Sequence, residues 1–111
     1  MKKLYEKPCS DEFGNFVRYV LGLMQVEYLS VQATEKDEDL SLTGSFPVLE
    51  LDDGQTRLSE SLSIARYLSQ DKLGFYGPDK ASKAQVDQWL DIINLRVAPH
   101  AQNLVQQVCG F

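Results

Sequence analysis

The sequence predicts an α/β fold in which a small mixed sheet with helices gives way to an all-helical end. Apolar residues switch repeatedly between the two-residue period of strands and the longer period of helices. An Asp53-Gly54 pair between two apolar runs predicts a tight hairpin. After Asp79 only helical spacing remains.

Composition limits the function before any motif is considered. The 111 residues, 43% hydrophobic and 24% charged, are typical of a globular protein about one domain long. Acidic residues outnumber basic ones by 16 to 11, which disfavours direct nucleic-acid binding. No apolar run approaches a membrane span, and no secretory leader is recognisable. We expect a cytoplasmic protein whose two cysteines, Cys9 and Cys109, are free thiols.

The first half of the chain predicts two strands around a helix. A short strand over 3–6 ends at Pro8, which lacks an amide hydrogen. Helical spacing over 15–25 and residues suited to strands over 26–31 follow. The acidic stretch 33–44 predicts a solvated loop with at most one helical turn. The apolar face of the helix comprises Phe16, Val17, Val20, Leu21 and Met24.

The hairpin and the helices after it have clearer boundaries. Strands over 46–51 and 56–58 flank Asp53-Gly54, because glycine takes the positive φ of tight reversals. Ser59 is the predicted cap of a helix, and Asp79 the predicted cap of a longer one. We expect Pro99 to kink or end that helix, with another from about His100 to Val108. The longer helix carries an apolar stripe of Val86, Trp89, Leu90, Ile93 and Val97.

The stretch from Phe46 to Leu68 predicts a carboxylate-binding corner. Pro47 cannot donate to a sheet ladder, and Glu60 and Ser61 stand at the positive end of the following helix. The plainer alternative is that Ser59, Glu60 and Ser61 only cap a helix.

The order of these elements resembles the thioredoxin-like amino-terminal domain of glutathione transferases, followed by the opening of their helical domain. On this resemblance we expect a thioredoxin-like domain over 1–75 and the start of a truncated all-α domain over 79–111. The resemblance spans roughly residues 3 to 70. The matching motifs are Lys3-Leu4-Tyr5 with Pro8, Val17-Arg18, Phe46-Pro47-Val48-Leu49 with Asp53-Gly54, and Glu60-Ser61 followed by Ile64, Ala65, Tyr67 and Leu68.

The resemblance implies a glutathione site at the corner. A cis bond before Pro47 would expose the backbone of Phe46 to an extended peptide. Ser61 would hold a carboxylate and Glu60 the ammonium of the ligand. The group that activates the thiol should follow the first strand, and Ser10, Cys9 and Tyr5 are the candidates. The acids Asp11 and Glu12 would disfavour a thiolate at Cys9.

The distal residues 84–111 resemble the gamma subunit of eukaryotic translation elongation factor 1 and the transferase-like appendages of aminoacyl-tRNA synthetases. The similarity rests on Ala84-Gln85-Val86-Asp87-Gln88-Trp89-Leu90, Val97-Ala98-Pro99 and Val108-Cys109-Gly110-Phe111. Trp89 is equally compatible with an ordinary core residue. Residues 40–45 also differ from the segment that precedes this proline in catalytic glutathione transferases. The resemblance therefore implies that a side chain that contacts the glycine of glutathione is missing there.

Two functions therefore remain open. The first, which the resemblance favours, is a scaffolding domain of a translation or synthetase complex with a vestigial glutathione site. Its partners would be protein subunits or a second copy of the chain. The second is an active glutathione transferase or thiol transferase. No metal-ligand spacing is present, and His100 is expected to be a surface residue.

Overall fold

The computed structural model describes residues 1–7, 12–70 and 75–109. The chain forms two compact units, Met1–Lys72 and Leu73–Phe111. The strands are β1 (Lys2–Glu6), β2 (Tyr28–Gln32), β3 (Val48–Glu50) and β4 (Arg57–Leu58). The helices are α1 (Glu12–Leu23), a 3₁₀ helix (Glu35–Leu40), α2 (Ser61–Ser69), α3 (Lys80–Ile92) and α4 (Ala98–Cys109), with a π-helical segment (Ile93–Val97) between the last two.

The first unit is built on a four-stranded mixed sheet with the order β2-β1-β3-β4. β1 and β2 are parallel, while β3 is antiparallel to both β1 and β4. Parallel neighbours need a crossover, and α1 provides it. Leu4 on β1 pairs with Leu49 on β3, and both are fully buried.

One hydrophobic core holds this unit together. α1 and α2 pack against each other over the sheet face that carries Leu4 and Leu49. The apolar face predicted for α1 is confirmed, since all of its members are buried or packed on this core. The buried members of the core are Leu4, Val17, Val20, Leu21, Met24, Leu49, Ile64, Ala65 and Leu68.

Several predicted boundaries were wrong. α1 begins at Glu12, three residues earlier than expected, and ends in a turn in which Gln25 adopts φ 55°. The stretch predicted as a loop contains a 3₁₀ helix of six residues. Its start is held by Thr34, whose backbone N–H donates to the Asp37 carboxylate at 2.8 Å. An acidic sequence without apolar periodicity therefore folds through local side-chain hydrogen bonds.

The second unit is one helical run from Lys80 to Cys109. Asp79 caps it as predicted, because its side chain accepts from the backbone N–H of Ser82 at 2.8 Å. Pro99 does not end the helix. The Ala98 N–H donates to the carbonyl of Ile93, five residues earlier, so the helix widens just before the proline and continues.

The apolar stripe predicted on this helical run is exposed at Trp89, Ile93 and Val97, whereas Val86 and Leu90 are half-buried. Trp89 is 64% exposed, which contradicts the alternative that it is a core residue. No residue is buried among those described between 75 and 109. His100 lies on the surface as expected. Cys109 is an exposed free thiol.

Candidate functional site

The β3–β4 hairpin brings the predicted corner together. Gly54 has φ 72°, and its N–H donates to the carbonyl of Leu51 at 3.0 Å. The Asp53 carboxylate accepts from the backbone N–H groups of Gln55 and Thr56, each at 2.9 Å, and from the Thr56 hydroxyl at 2.6 Å. These hydrogen bonds lower the pKa of Asp53 to about 2, with the Thr56 hydroxyl as the largest cause. A turn fixed in this way also fixes the register of the strands that it joins.

The strand pairing places the predicted corner at one end of the sheet. Leu49 pairs with Leu58 and Glu50 with Arg57, in antiparallel strands. The start of β3, which follows Phe46 and Pro47, and the end of β4, which precedes Glu60 and Ser61, therefore lie at the same end of the sheet. Tyr5 on β1 pairs with Val48 at that end of β3.

The amino terminus of α2 has no side-chain cap. Glu60 is the N-cap residue, with extended backbone at φ −102° and ψ 132°, and its side chain makes no capping hydrogen bond. The prediction that Ser59 caps this helix was wrong. Its hydroxyl accepts instead from the backbone N–H of Leu42 at 3.1 Å, which ties the connection before β3 to the start of α2. The first-turn amides of α2 therefore have no side-chain cap from the N-cap residue, and an external acceptor can bind them.

The members of the corner differ in how far they are exposed to solvent. Ser61 is the first residue of α2 and is 7% exposed. Glu60 is exposed, Phe46 is half-buried and Pro47 is buried. The Phe46–Pro47 peptide bond is cis, as the resemblance implies. The corner thus combines a cis-proline segment, a buried serine and an exposed carboxylate.

The structure describes one of the three candidate activating groups. Tyr5 lies on β1 between Val31 and Val48 and is half-buried. Cys9 and Ser10 lie outside the described residues. Among the described residues, no cluster of histidine, cysteine or acidic side chains could hold a metal ion.

The sequence analysis did not identify a partly buried ion pair at the end of β1. Glu6 is 8% exposed, and its Oε2 accepts from Arg18 Nη1 at 2.9 Å and from the Ser30 hydroxyl at 3.4 Å. Its other oxygen, Oε1, is buried with no hydrogen-bond partner among the described residues. The available signal was position, since Glu6 follows Leu4 by two residues in a strand and so shares its buried face.

Lys7 was also missed. Its Nζ lies 5.6 Å from the centroid of the Phe46 ring and 4.0 Å from Glu38 Oε1. It adds a positive charge beside Phe46. Within the described part of the chain, no helix is long and apolar enough to cross a membrane.

Comparison with known proteins identifies this fold. No family model and no curated protein matches the sequence. Solved structures do match, and a glutathione transferase F2 from Populus trichocarpa has a TM-score of 0.83 at 22% identity over 96% of this chain. A glutathione S-transferase from Xanthobacter autotrophicus has a TM-score of 0.79 at 19% identity over 98% of it. A Gtt2-class glutathione S-transferase from Vibrio parahaemolyticus has a TM-score of 0.72 at 30% identity over 85% of it.

These matches show the fold predicted from the sequence. It is glutathione-transferase-like, with a four-stranded mixed sheet and helices followed by a helical segment. The chain spans 54%, 57% and 50% of the three solved structures, in the order given.

Proposed function

We propose that this chain binds glutathione, or a closely related γ-glutamyl peptide, at the corner formed by Phe46, Pro47, Glu60 and Ser61. The observation that carries the proposal is the start of α2, where the Glu60 side chain makes no capping hydrogen bond and Ser61 is the first, buried residue of the helix. Unpaired amides and the helix dipole favour a carboxylate there. The likeness to solved glutathione transferases supports the same ligand.

Each member of the corner has a distinct role in this proposal. The amide and hydroxyl of Ser61 hold the α-carboxylate of the γ-glutamyl group, and Glu60 pairs with its ammonium. The backbone of Phe46 pairs with the extended peptide as a neighbouring strand would. Tyr5, Cys9 and Ser10 are the candidates for activating the thiol.

Calorimetric titration with glutathione tests the site. We expect Ser61→Ala to weaken binding roughly tenfold, because it removes a hydrogen bond to a charged group. Ser63→Ala is the matched control, since Ser63 is exposed on the same helix and should leave the affinity unchanged. Thermal melts verify that both variants fold. Absence of binding by the wild-type chain at millimolar glutathione would contradict the proposal.

A conjugation assay with chlorodinitrobenzene extends this test to catalysis. Turnover that is lost in Tyr5→Phe, Cys9→Ala or Ser10→Ala would identify the activating group. Glutathione binding without turnover would instead favour a vestigial site.

A second candidate function is a scaffolding role in a translation or synthetase complex. Support for it comes from large apolar side chains exposed on one helical run. They are Trp89, Ile93, Leu95, Val97, Leu104, Val105 and Val108. Burial of such side chains against a protein subunit would stabilise a complex.

Binding of purified elongation-factor and synthetase subunits to the immobilised chain tests this role. We expect capture that Leu104→Glu reduces at least tenfold, since the change places a charge in an apolar interface. Asn103→Glu, at a neighbouring exposed position, is the control. Equal capture by both variants would exclude the surface around Leu104 as the binding surface.

A further inference from the structure

β2 forms one edge of the four-stranded sheet. Among the strands that the structure describes, it pairs only with β1, so its other side faces away from the sheet. The N–H of Ala33, just past the strand, donates to the Glu6 carbonyl at 2.7 Å. Because backbone groups alternate in direction along a strand, those of Leu29 and Val31 also face β1. The backbone groups that face outward are those of Tyr28, Ser30 and Gln32.

The two edges of this sheet are protected to different degrees. β4 forms the other edge, and it has only two residues, one of which is the charged Arg57. β2 has five residues, and none of them is charged or a proline. Leu29 is 51% exposed, and Ser30 and Gln32 are exposed as well. β2 therefore lacks the charges and prolines that commonly prevent an edge strand from pairing with another strand.

The residues of β2 complement a second copy of the same strand. In an antiparallel pair with a two-fold axis at Ser30, the outward-facing backbone groups of the two strands meet. This register sets Leu29 opposite Val31 of the second copy, on the same face of the sheet. The two residues form a non-hydrogen-bonded pair, in which side chains lie closest together. An exposed leucine thus gains an apolar neighbour in the paired strand.

Charge distinguishes this register from its alternatives. The outward-facing groups also allow a two-fold axis at Tyr28 or at Gln32. The first would set Glu27 opposite Leu29, and the second would set Glu35 opposite Leu29. Each copy carries a net charge of −5, so association favours the register that brings no acid into the pair. The axis at Ser30 is the one that meets this condition.

We propose that β2 pairs antiparallel with β2 of a second copy of the chain, about a two-fold axis at Ser30. The two four-stranded sheets then form one continuous sheet across the interface. Roughly six backbone hydrogen bonds join the copies, made by the outward-facing groups of both strands. This pairing is independent of the proposed glutathione site and of the exposed helical run in the second unit.

Sedimentation equilibrium of the whole chain tests the pairing. We expect a weak dimer, half associated at roughly 100 µM, because a five-residue strand pair buries less than a standard interface of about 1,600 Å². We expect Leu29→Lys to weaken the dimer at least tenfold, since it places a charge in the apolar pair. Leu23→Lys, at an exposed position on α1, is the matched control and should leave association unchanged. Thermal melts verify that the variants fold.

A mixture of two variants tests the register. Leu29→Lys and Val31→Glu should each be monomeric where the wild type dimerises, whereas an equal mixture should dimerise, because the introduced ammonium and carboxylate face each other. If both variants fold and the mixture stays monomeric, the axis at Ser30 is wrong. A wild-type chain that is monomeric at millimolar concentration overturns the proposal, even if a strand of another protein binds this edge. Dimerisation that survives Leu29→Lys overturns it as well, since the contact then lies on another surface.

Discussion

Asp53 shows how one side chain can fix the geometry of the corner. Its carboxylate accepts three hydrogen bonds inside the turn that sets the β3–β4 register. The pKa of Asp53 falls from 3.8 to about 2, chiefly because the Thr56 hydroxyl and the two backbone amides favour the ionised form. The ionised turn is therefore the stable one, and it supports the pairing of Leu49 with Leu58 and of Glu50 with Arg57.

This shift predicts a pH-dependent stability. The folded pKa lies below the unfolded one, so the stabilisation is complete above about pH 4 and is lost as the pH falls through about 2. Relative to Asp53→Asn and Asp53→Ala, the wild-type chain should lose its advantage in free energy of unfolding over that range. Urea unfolding monitored at pH 7 and at several acidic values measures the difference. The prediction fails if the wild type and the variants differ equally at every pH.

Ser59 and Ser61 illustrate how neighbouring serines acquire different roles. Both stand at a helix start, where serine commonly caps. The hydroxyl of Ser59 is engaged by Leu42, a residue seventeen positions earlier in the chain. This contact leaves the α2 amino terminus without a side-chain cap, and that is the feature on which the proposed carboxylate site depends.

The helical run from Lys80 to Cys109 shows how a helix accommodates a proline. Pro99 has no N–H to donate to the carbonyl four residues earlier, and its ring would crowd that carbonyl. The segment Ile93–Val97 relieves the conflict by adopting π-helical bonding. The widened turn follows from a single residue rather than from flexibility of the helix.

Replacement of the proline should therefore regularise the helix. We expect Pro99→Ala to convert the π-helical segment to α-helix and to raise helix stability by about 1 kcal/mol, a fraction of the roughly 3 kcal/mol that an unrelieved interior proline costs. Far-UV circular dichroism during thermal unfolding measures the change. Pro78→Ala is the control, because Pro78 precedes the Asp79 cap and lies outside the helix. A loss of helicity in Pro99→Ala would show that the wide turn has another cause.

The two units differ in the way their apolar residues are used. In Met1–Lys72 the apolar faces of the sheet and of two helices enclose one core. In Leu73–Phe111 several large apolar residues of a helical run remain exposed. Burial of apolar area stabilises the first unit directly, whereas the second has surface left that a protein partner could cover. The proposed ligand site and the proposed interaction surface thus belong to separate units.

Local chemistry along the chain accounts for much of the fold and for part of the site. Apolar periodicity predicts β1, α1, β2 and α2, the Asp53-Gly54 pair predicts the hairpin, and Asp79 predicts the start of the long helix. Each of these signals acts over fewer than about a dozen residues, so it can be predicted from the sequence. Contacts between distant segments cannot be predicted in this way, because no neighbouring residue in the chain specifies their partners. Folding was needed to direct Ser59 to Leu42, to bury Glu6 against Arg18, and to place Lys7 beside Phe46.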